Sequence, residues 1–115
     1  MASRDELCWA AGFWDGEGCA SITRVRGRYV YLQLSIKQVN RENLERFRRA
    51  VGGGKINGPY PHGNGKPISQ WQTTGRESER IAALLLPFIG SEKRQQINRM
   101  HRMLVADAQM ELGVA

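Results

Sequence analysis

The sequence predicts an α+β fold in which an antiparallel four-stranded sheet carries its helices on one face. Two observations carry that expectation. Apolar residues recur at helical spacing up to about residue 16 and then, from Cys19, switch to a period of two. A unit of two strands and a helix then occurs twice, giving the order αββαββα with one more helix at the end. The 115 residues leave room for one core, so residues 1–115 are expected to form a single domain.

The elements follow in order. Ser3 with Glu6 three residues later is a capping-box pattern, opening a helix over about residues 4–16 that Gly16 and Gly18 end. "CASITRVR" and "YVYLQLSIKQ" flank Gly27 as a hairpin. In the second strand Val30, Leu32, Leu34 and Ile36 share one face, and Tyr29, Tyr31, Gln33, Ser35 and Lys37 share the other. Asn40 caps "RENLERFRRAV", with Leu44, Phe47 and Val51 as its apolar stripe. "GGGKING" ends that helix and starts a short third strand around Lys55 and Ile56, after which "PYPHGNGKP" reads as a loop. "ISQWQTT" is the fourth strand. "RESERIAALLLPFI" is a helix stopped near Pro87 and Gly90. Ser91 caps a last helix over 92–112, with Ile97, Met100, Leu104 and Ala108 on one side.

Composition narrows the function. The net charge of +6 favours a polyanionic partner, nucleic acid before membrane. No apolar run approaches the roughly 18 residues of a membrane span, and no signal-peptide pattern opens the chain. Cys8 and Cys19 have no CxxC or Cys/His context, so two reduced, packed thiols and an intracellular setting are expected. That setting is the cytoplasm or wherever the target nucleic acid lies, an organelle included. His62 and His101 have no partner at ligand spacing and read as ordinary.

The chemistry concentrates in "CWAAGFWDGEGCASI", residues 8–22. Gly12 and Gly16 are four apart on one helix face, with Cys8 and Ala11 beside them, and small residues on one stripe let another helix approach closely. The stripe runs into Asp15 and Glu17. If the partner were the same helix of a second copy, Cys8, Ala11, Gly12, Asp15 and Gly16 would form the contact and two glutamates would converge. Like charges that close are tolerable when divalent cations neutralise them.

"AAGFWDGEGC" resembles the signature of the LAGLIDADG homing endonucleases, in a chain with one copy of it. Gly12 and Gly18 match the glycines of that motif, Phe13 and Trp14 its large apolar positions, Ala11 its small one, and Asp15 and Glu17 its two acids. Ala10 replaces the usual Leu, and Glu at 17 replaces Asp while keeping a hard oxygen ligand. "IKQVNRENLERF", "VGGGKI" and "LPFIGSEKRQQI" resemble further segments of the family, and the element order matches its fold over essentially the whole chain.

The resemblance implies a site-specific DNA endonuclease, such as a mobile intron encodes, that cuts both strands of a long, roughly palindromic target as a homodimer. A catalytically inactive DNA-binding regulator or an RNA-splicing maturase of the same fold is the alternative. Glu17 is then the ligand of Mg²⁺ (or Mn²⁺), with the Gly16 carbonyl as a second ligand and Asp15 either a further ligand or a structural acceptor of backbone N–H groups. Lys93, or Arg94 one residue on, offsets phosphate charge, and Gln38 orients the water. The polar sheet face lies in the major groove. It carries Tyr29, Tyr31, Gln33, Ser35 and Lys37, together with either Ser21 and Thr23 or Arg24 and Arg26 from the first strand. Gln70 and Gln72 face DNA from the fourth strand with Trp71 buried. Lys55 and Lys66 meet phosphates. No small-molecule substrate and no membrane partner are expected.

Overall fold

Ser3 accepts the Glu6 N–H at 3.2 Å and so opens helix α1 (Arg4–Glu17). In the computed structural model, which describes residues 2–27 and 29–111, α1 runs directly into strand β1 (Gly18–Val25). Glu6 does not close the capping box. Its carboxylate instead accepts two bonds from the Arg46 guanidinium, at 3.1 and 2.7 Å, and this pairing holds the carboxyl below its ordinary range. Arg46 also lies 3.9 Å over the Trp9 ring, so α1 and the following helix are clasped at their outer edge.

Strand β2 (Tyr29–Gln38) returns after a turn in which Arg26 and Gly27 both have positive φ, 57° and 64°. Helix α2 (Arg41–Val51) starts at Asn40, whose side chain accepts the Asn43 N–H at 3.3 Å, and ends at the left-handed Gly52. Strands β3 (Lys55–His62) and β4 (Gly65–Thr74) lead to helices α3 (Arg76–Leu85) and α4 (Ser91–Glu111). The sheet order is β1-β2-β4-β3, and every neighbouring pair is antiparallel. This is the α+β architecture that the sequence predicts.

Period-two burial assigns the faces. Ala20, Leu32, Leu34, Ile36 and Trp71 are buried against the helices, which contribute Ala10 and Trp14 from α1, Leu44 and Phe47 from α2, Ile81 and Leu85 from α3, and Ile97 from α4. Phe47 sits at the centre. Its ring meets Trp71 edge-on at 4.7 Å and Trp14 at 6.3 Å, linking α1 to the sheet through aromatic contacts. The glycine run before β3 serves Trp71: a Cβ on Gly54 would fall 2.0 Å from the indole nitrogen, which donates to the Gly53 carbonyl at 2.9 Å.

Four expectations need correction. "PYPHGNGKP" is not a loop: β3 continues through His62 and β4 starts at Gly65, leaving Gly63 and Asn64 as the turn. β3 is an edge strand, where Pro59 and Pro61 need no ladder N–H on the outer side. Gly16 does not end α1, because the helix continues to Glu17. Ser91 is the first residue of α4 rather than its cap; the Arg94 N–H bonds to the Gly90 carbonyl. Ala108 is exposed and not on the packed side of α4. Leu112, the last residue of the expected helix, lies outside the described residues.

The two buried tryptophans differ in one respect. The Trp71 N–H has an acceptor, whereas the Trp14 N–H has none among the described residues. Trp71→Phe is therefore expected to lose more stability than Trp14→Phe, by about 1 kcal/mol for the lost bond. Urea unfolding of both variants measures the difference, and equal losses would contradict this account.

Candidate active site and nucleic-acid interface

The end of α1 fixes the position of Glu17. The helix stops because Gly18 leaves it in extended conformation (φ −79°, ψ 154°). A Cβ on Gly18 would fall 2.1 Å from the buried Trp14 ring, so only glycine lets the chain turn this tightly over the indole. Glu17 is thereby left exposed at the corner between helix and sheet.

Around that corner α4 supplies polar groups from far along the chain. The Lys93 amine donates to the Gly18 carbonyl. Two residues further along β1, the Ala20 N–H donates to Gln96 Oε1 at 3.2 Å. On α1 itself, Asp15 receives the Gly90 N–H on both carboxylate oxygens, each at 3.0 Å. Lys93 and Arg94 make different contacts: Arg94 donates to the Leu86 and Ile89 carbonyls between α3 and α4, and Lys93 reaches the corner. Gln38 is not brought into contact with it. Gln38 pairs with the buried Ser69, and its amide oxygen accepts the Val39 and Asn40 N–H groups at 3.0 and 3.4 Å. It lies two residues past the Gly18–Ile36 pair, beyond the end of the β1–β2 ladder.

The polar face of the sheet begins at the same corner. Strand register places Cys19, Ser35, Gln72 and Lys55 in one row across all four strands. Lys37, Gln70 and Asn57 form the next row, which runs out at the β1 edge where Glu17 stands. Ser21, Gln33 and Thr74 form a row on the other side, and Thr23 pairs with Tyr31 beyond it. The Thr23 hydroxyl bonds to the Gln33 side chain. Gln70 and Gln72 are half-buried on this face while Trp71 is fully buried on the other. Tyr29 pairs with Val25 in the ladder, and its side chain lies outside those described. Lys66 is exposed near the tip of the β3–β4 hairpin.

The phase of β1 settles the choice left open by the sequence. Ser21 and Thr23 share the polar face. Arg24 pairs with Val30 on the helix side and reaches Asp107 of α4 at 3.7 Å, so it does not belong to that face. Arg26 lies in the hairpin turn rather than in the sheet. Asn57, Thr74 and Cys19 were missed, although the period-two phase of Lys55, Gln72 and Ser21 would have found all three.

Two readings of α1 and the thiols change as well. Ala11 is 1% exposed and belongs to the chain's own core, so it cannot form an intermolecular contact. The outward stripe is Cys8, Gly12 and Gly16, with Asp15 beside it, all exposed; a Cβ on Gly12 or Gly16 would meet nothing within 4 Å. Cys8 and Cys19 are both exposed free cysteines, not packed thiols. Among the described residues no group of three or more His, Cys, Asp or Glu side chains converges, so one chain offers a cation Glu17 and backbone oxygen but no complete ligand set. No described helix is long and apolar enough to cross a membrane.

A short helix passing without a linker into an antiparallel four-stranded sheet, with helices on one face and a polar second face, is the fold of the LAGLIDADG homing endonucleases. Solved structures support the assignment. The homing endonuclease I-TnaI superposes with a TM-score of 0.67 at 22% identity, covering 98% of this chain and 77% of that one. I-CvuI, in complex with a DNA target in the presence of Mg, gives 0.67 at 21% identity over 94% and 69%. The LAGLIDADG meganuclease I-AabMI, bound to uncleaved DNA, gives 0.66 at 25% identity, covering 91% of this chain but 37% of its own. No family model matches the sequence, and no characterised protein matches it in sequence.

Gly18 is the residue on which the corner depends. Gly18→Ala must displace the Trp14 ring, at a cost of about 1–3 kcal/mol. Chemical denaturation followed by tryptophan fluorescence is expected to show both the loss and a changed native emission; an unchanged midpoint would refute the close approach.

Proposed function

We propose that this chain is a site-specific DNA endonuclease that acts as a homodimer, cutting both strands of a long, roughly palindromic target with Mg²⁺ or Mn²⁺. The observation that carries the reading is the corner itself. Glu17 is exposed at the end of the signature helix, with the Lys93 amine on the adjoining Gly18 carbonyl and the polar sheet face beginning one residue away.

The polar face suits a duplex. A twisted antiparallel sheet fits the major groove, and Gln33, Gln70, Gln72 and Asn57 carry amides able to donate to and accept from base edges. Ser21, Thr23, Ser35 and Tyr31 add hydroxyls. Lys37, Lys55 and Lys66 supply positive charge for phosphates, which set register without reading sequence. With DNA on that face, the backbone at its β1 edge passes Glu17.

Glu17 and the Gly16 carbonyl would hold the cation as hard oxygen donors, and a second chain's Glu17 would complete the set that one chain lacks. When bound, the divalent ion neutralises phosphate charge and lowers the pKa of an attacking water. Lys93 would offset charge that builds on the phosphate oxygens, since an ammonium fixed in a water-poor site stabilises such charge most. Asp15 has both oxygens engaged by Gly90 and is not assigned to the cation. Gln38 sits at the right level of the sheet to order water at the corner. The stripe of Cys8, Gly12 and Gly16 allows two copies of α1 to pack closely about a two-fold axis.

Glu17→Gln is expected to abolish cutting while DNA affinity stays near that of the parent. A DNA duplex selected from a randomised library with Mg²⁺ serves for both measurements, and retained cutting would overturn the ligand assignment. Affinity should fall steeply with salt as counterions are released by several phosphate contacts. Gly12→Leu places a bulky side chain on the exposed stripe without touching the core, so sedimentation equilibrium should report a folded monomer. A dimer unaffected by Gly12→Leu would place the interface elsewhere.

A further inference from the structure

We propose that Asp15 is a positioning residue: by holding the first turn of α4 against the end of α1, it sets the Lys93 amine beside Glu17. The start of α4 has no capping side chain of its own. Gly90, the residue ahead of Ser91, carries none, and the Arg94 N–H already marks the first turn by bonding to the Gly90 carbonyl. The Gly90 N–H is instead met by Asp15 from another helix, 75 positions earlier in the chain, with both oxygens at 3.0 Å. A carboxylate at this end of a helix also complements its dipole.

Lys93 lies three residues after Gly90, so the placement of Gly90 sets where the Lys93 stem begins. Gly90, Lys93 and Gln96, spaced three apart at the start of α4, meet Asp15, Gly18 and Ala20 along the α1–β1 junction. The last of these contacts and the buried Ile97 anchor α4 without help from Asp15. Removal of the Asp15 carboxylate therefore loosens the turn that carries Lys93, which Arg94 still ties to the Leu86 and Ile89 carbonyls, and leaves the rest of α4 docked. This assignment rests on the proposed nuclease reading for its activity readout, and on geometry alone for the rest.

The test compares Asp15→Ala, Asp15→Asn, Lys93→Ala and the Asp15→Ala/Lys93→Ala double variant in single-turnover cleavage of the selected duplex with Mg²⁺. Asp15→Ala is expected to slow cleavage about tenfold or more, as small misplacements of a catalytic group do, with DNA affinity unchanged. Asp15→Asn keeps a carbonyl oxygen for the Gly90 N–H and should recover most of the rate, in contrast to Glu17→Gln. The double variant should be no slower than Lys93→Ala alone. A parent-like rate for Asp15→Ala overturns the proposal, and so does a loss that multiplies in full with that of Lys93→Ala. If the parent protein cuts no DNA, the nuclease reading falls by itself, and NMR of the full chain decides the positioning. Asp15→Ala should then shift the Gly90 amide, speed its hydrogen exchange and move the Lys93 ammonium resonance. An unmoved Lys93 resonance overturns the proposal.

Discussion

Helix α1 passes into strand β1 with no residue between them, and the passage depends on the missing side chain of Gly18 over the Trp14 ring. Trp14 is fully buried and stacks toward Phe47, so it cannot yield without disturbing the centre of the core. The cost of that packing is an indole N–H without an acceptor among the described residues. In return, the acid before Gly18 is held at one point in space by the core itself rather than by a mobile connection. Acids in apolar sequence are costly when buried, and here they are not buried: Asp15 and Glu17 are exposed on a helix whose other side is core.

The same junction explains the placement of α4. β1 is a sheet edge, and an edge exposes backbone groups that pair with other chains unless they are satisfied. Lys93 and Gln96 cover two of them, the Gly18 carbonyl and the Ala20 N–H. The opposite edge, β3, is blunted by Pro59 and Pro61. An edge-covering lysine is a structural device on any sheet. At this edge it also brings an ammonium to the carbonyl of the residue after Glu17, so under the proposed reading structure and chemistry make the same demand on a single side chain.

The signals that are local were legible in the sequence. Ser3 and Asn40 start their helices as caps, Leu44, Phe47 and Val51 form the buried stripe of α2, and the alternation of Val30 through Ile36 gives the face of β2 correctly. What failed depended on distance or on degeneracy. Ala11 and Gly12 are both small and adjacent, so periodicity could not decide which turned inward; the core took the residue with a methyl group. The prolines of β3 read as loop because their tolerance depends on an edge position that only the strand order reveals. The partners Asp15–Gly90, Lys93–Gly18 and Gln96–Ala20 are separated by 75 or 76 residues, and nothing in the local pattern of either partner announces the other.

Under the proposed reading, one chain supplies only part of what divalent-cation chemistry needs. A hard cation prefers six or more oxygens, and the corner provides one carboxylate and nearby carbonyl groups. The remaining donors must come from outside the chain, from water, from a phosphate or from another protein copy. Asp15 does not fill the gap, because both of its oxygens are committed to the Gly90 N–H. The outward stripe of α1 offers a different route, because Cys8, Gly12 and Gly16 are the smallest exposed surface that ends at Glu17. Under that reading, two such stripes meeting backbone to backbone would bring like charges together at their ends, a repulsion that a bound cation would offset. Under the proposed reading, the exposed stripe and the acid at its end form the surface on which a second copy would have to pair.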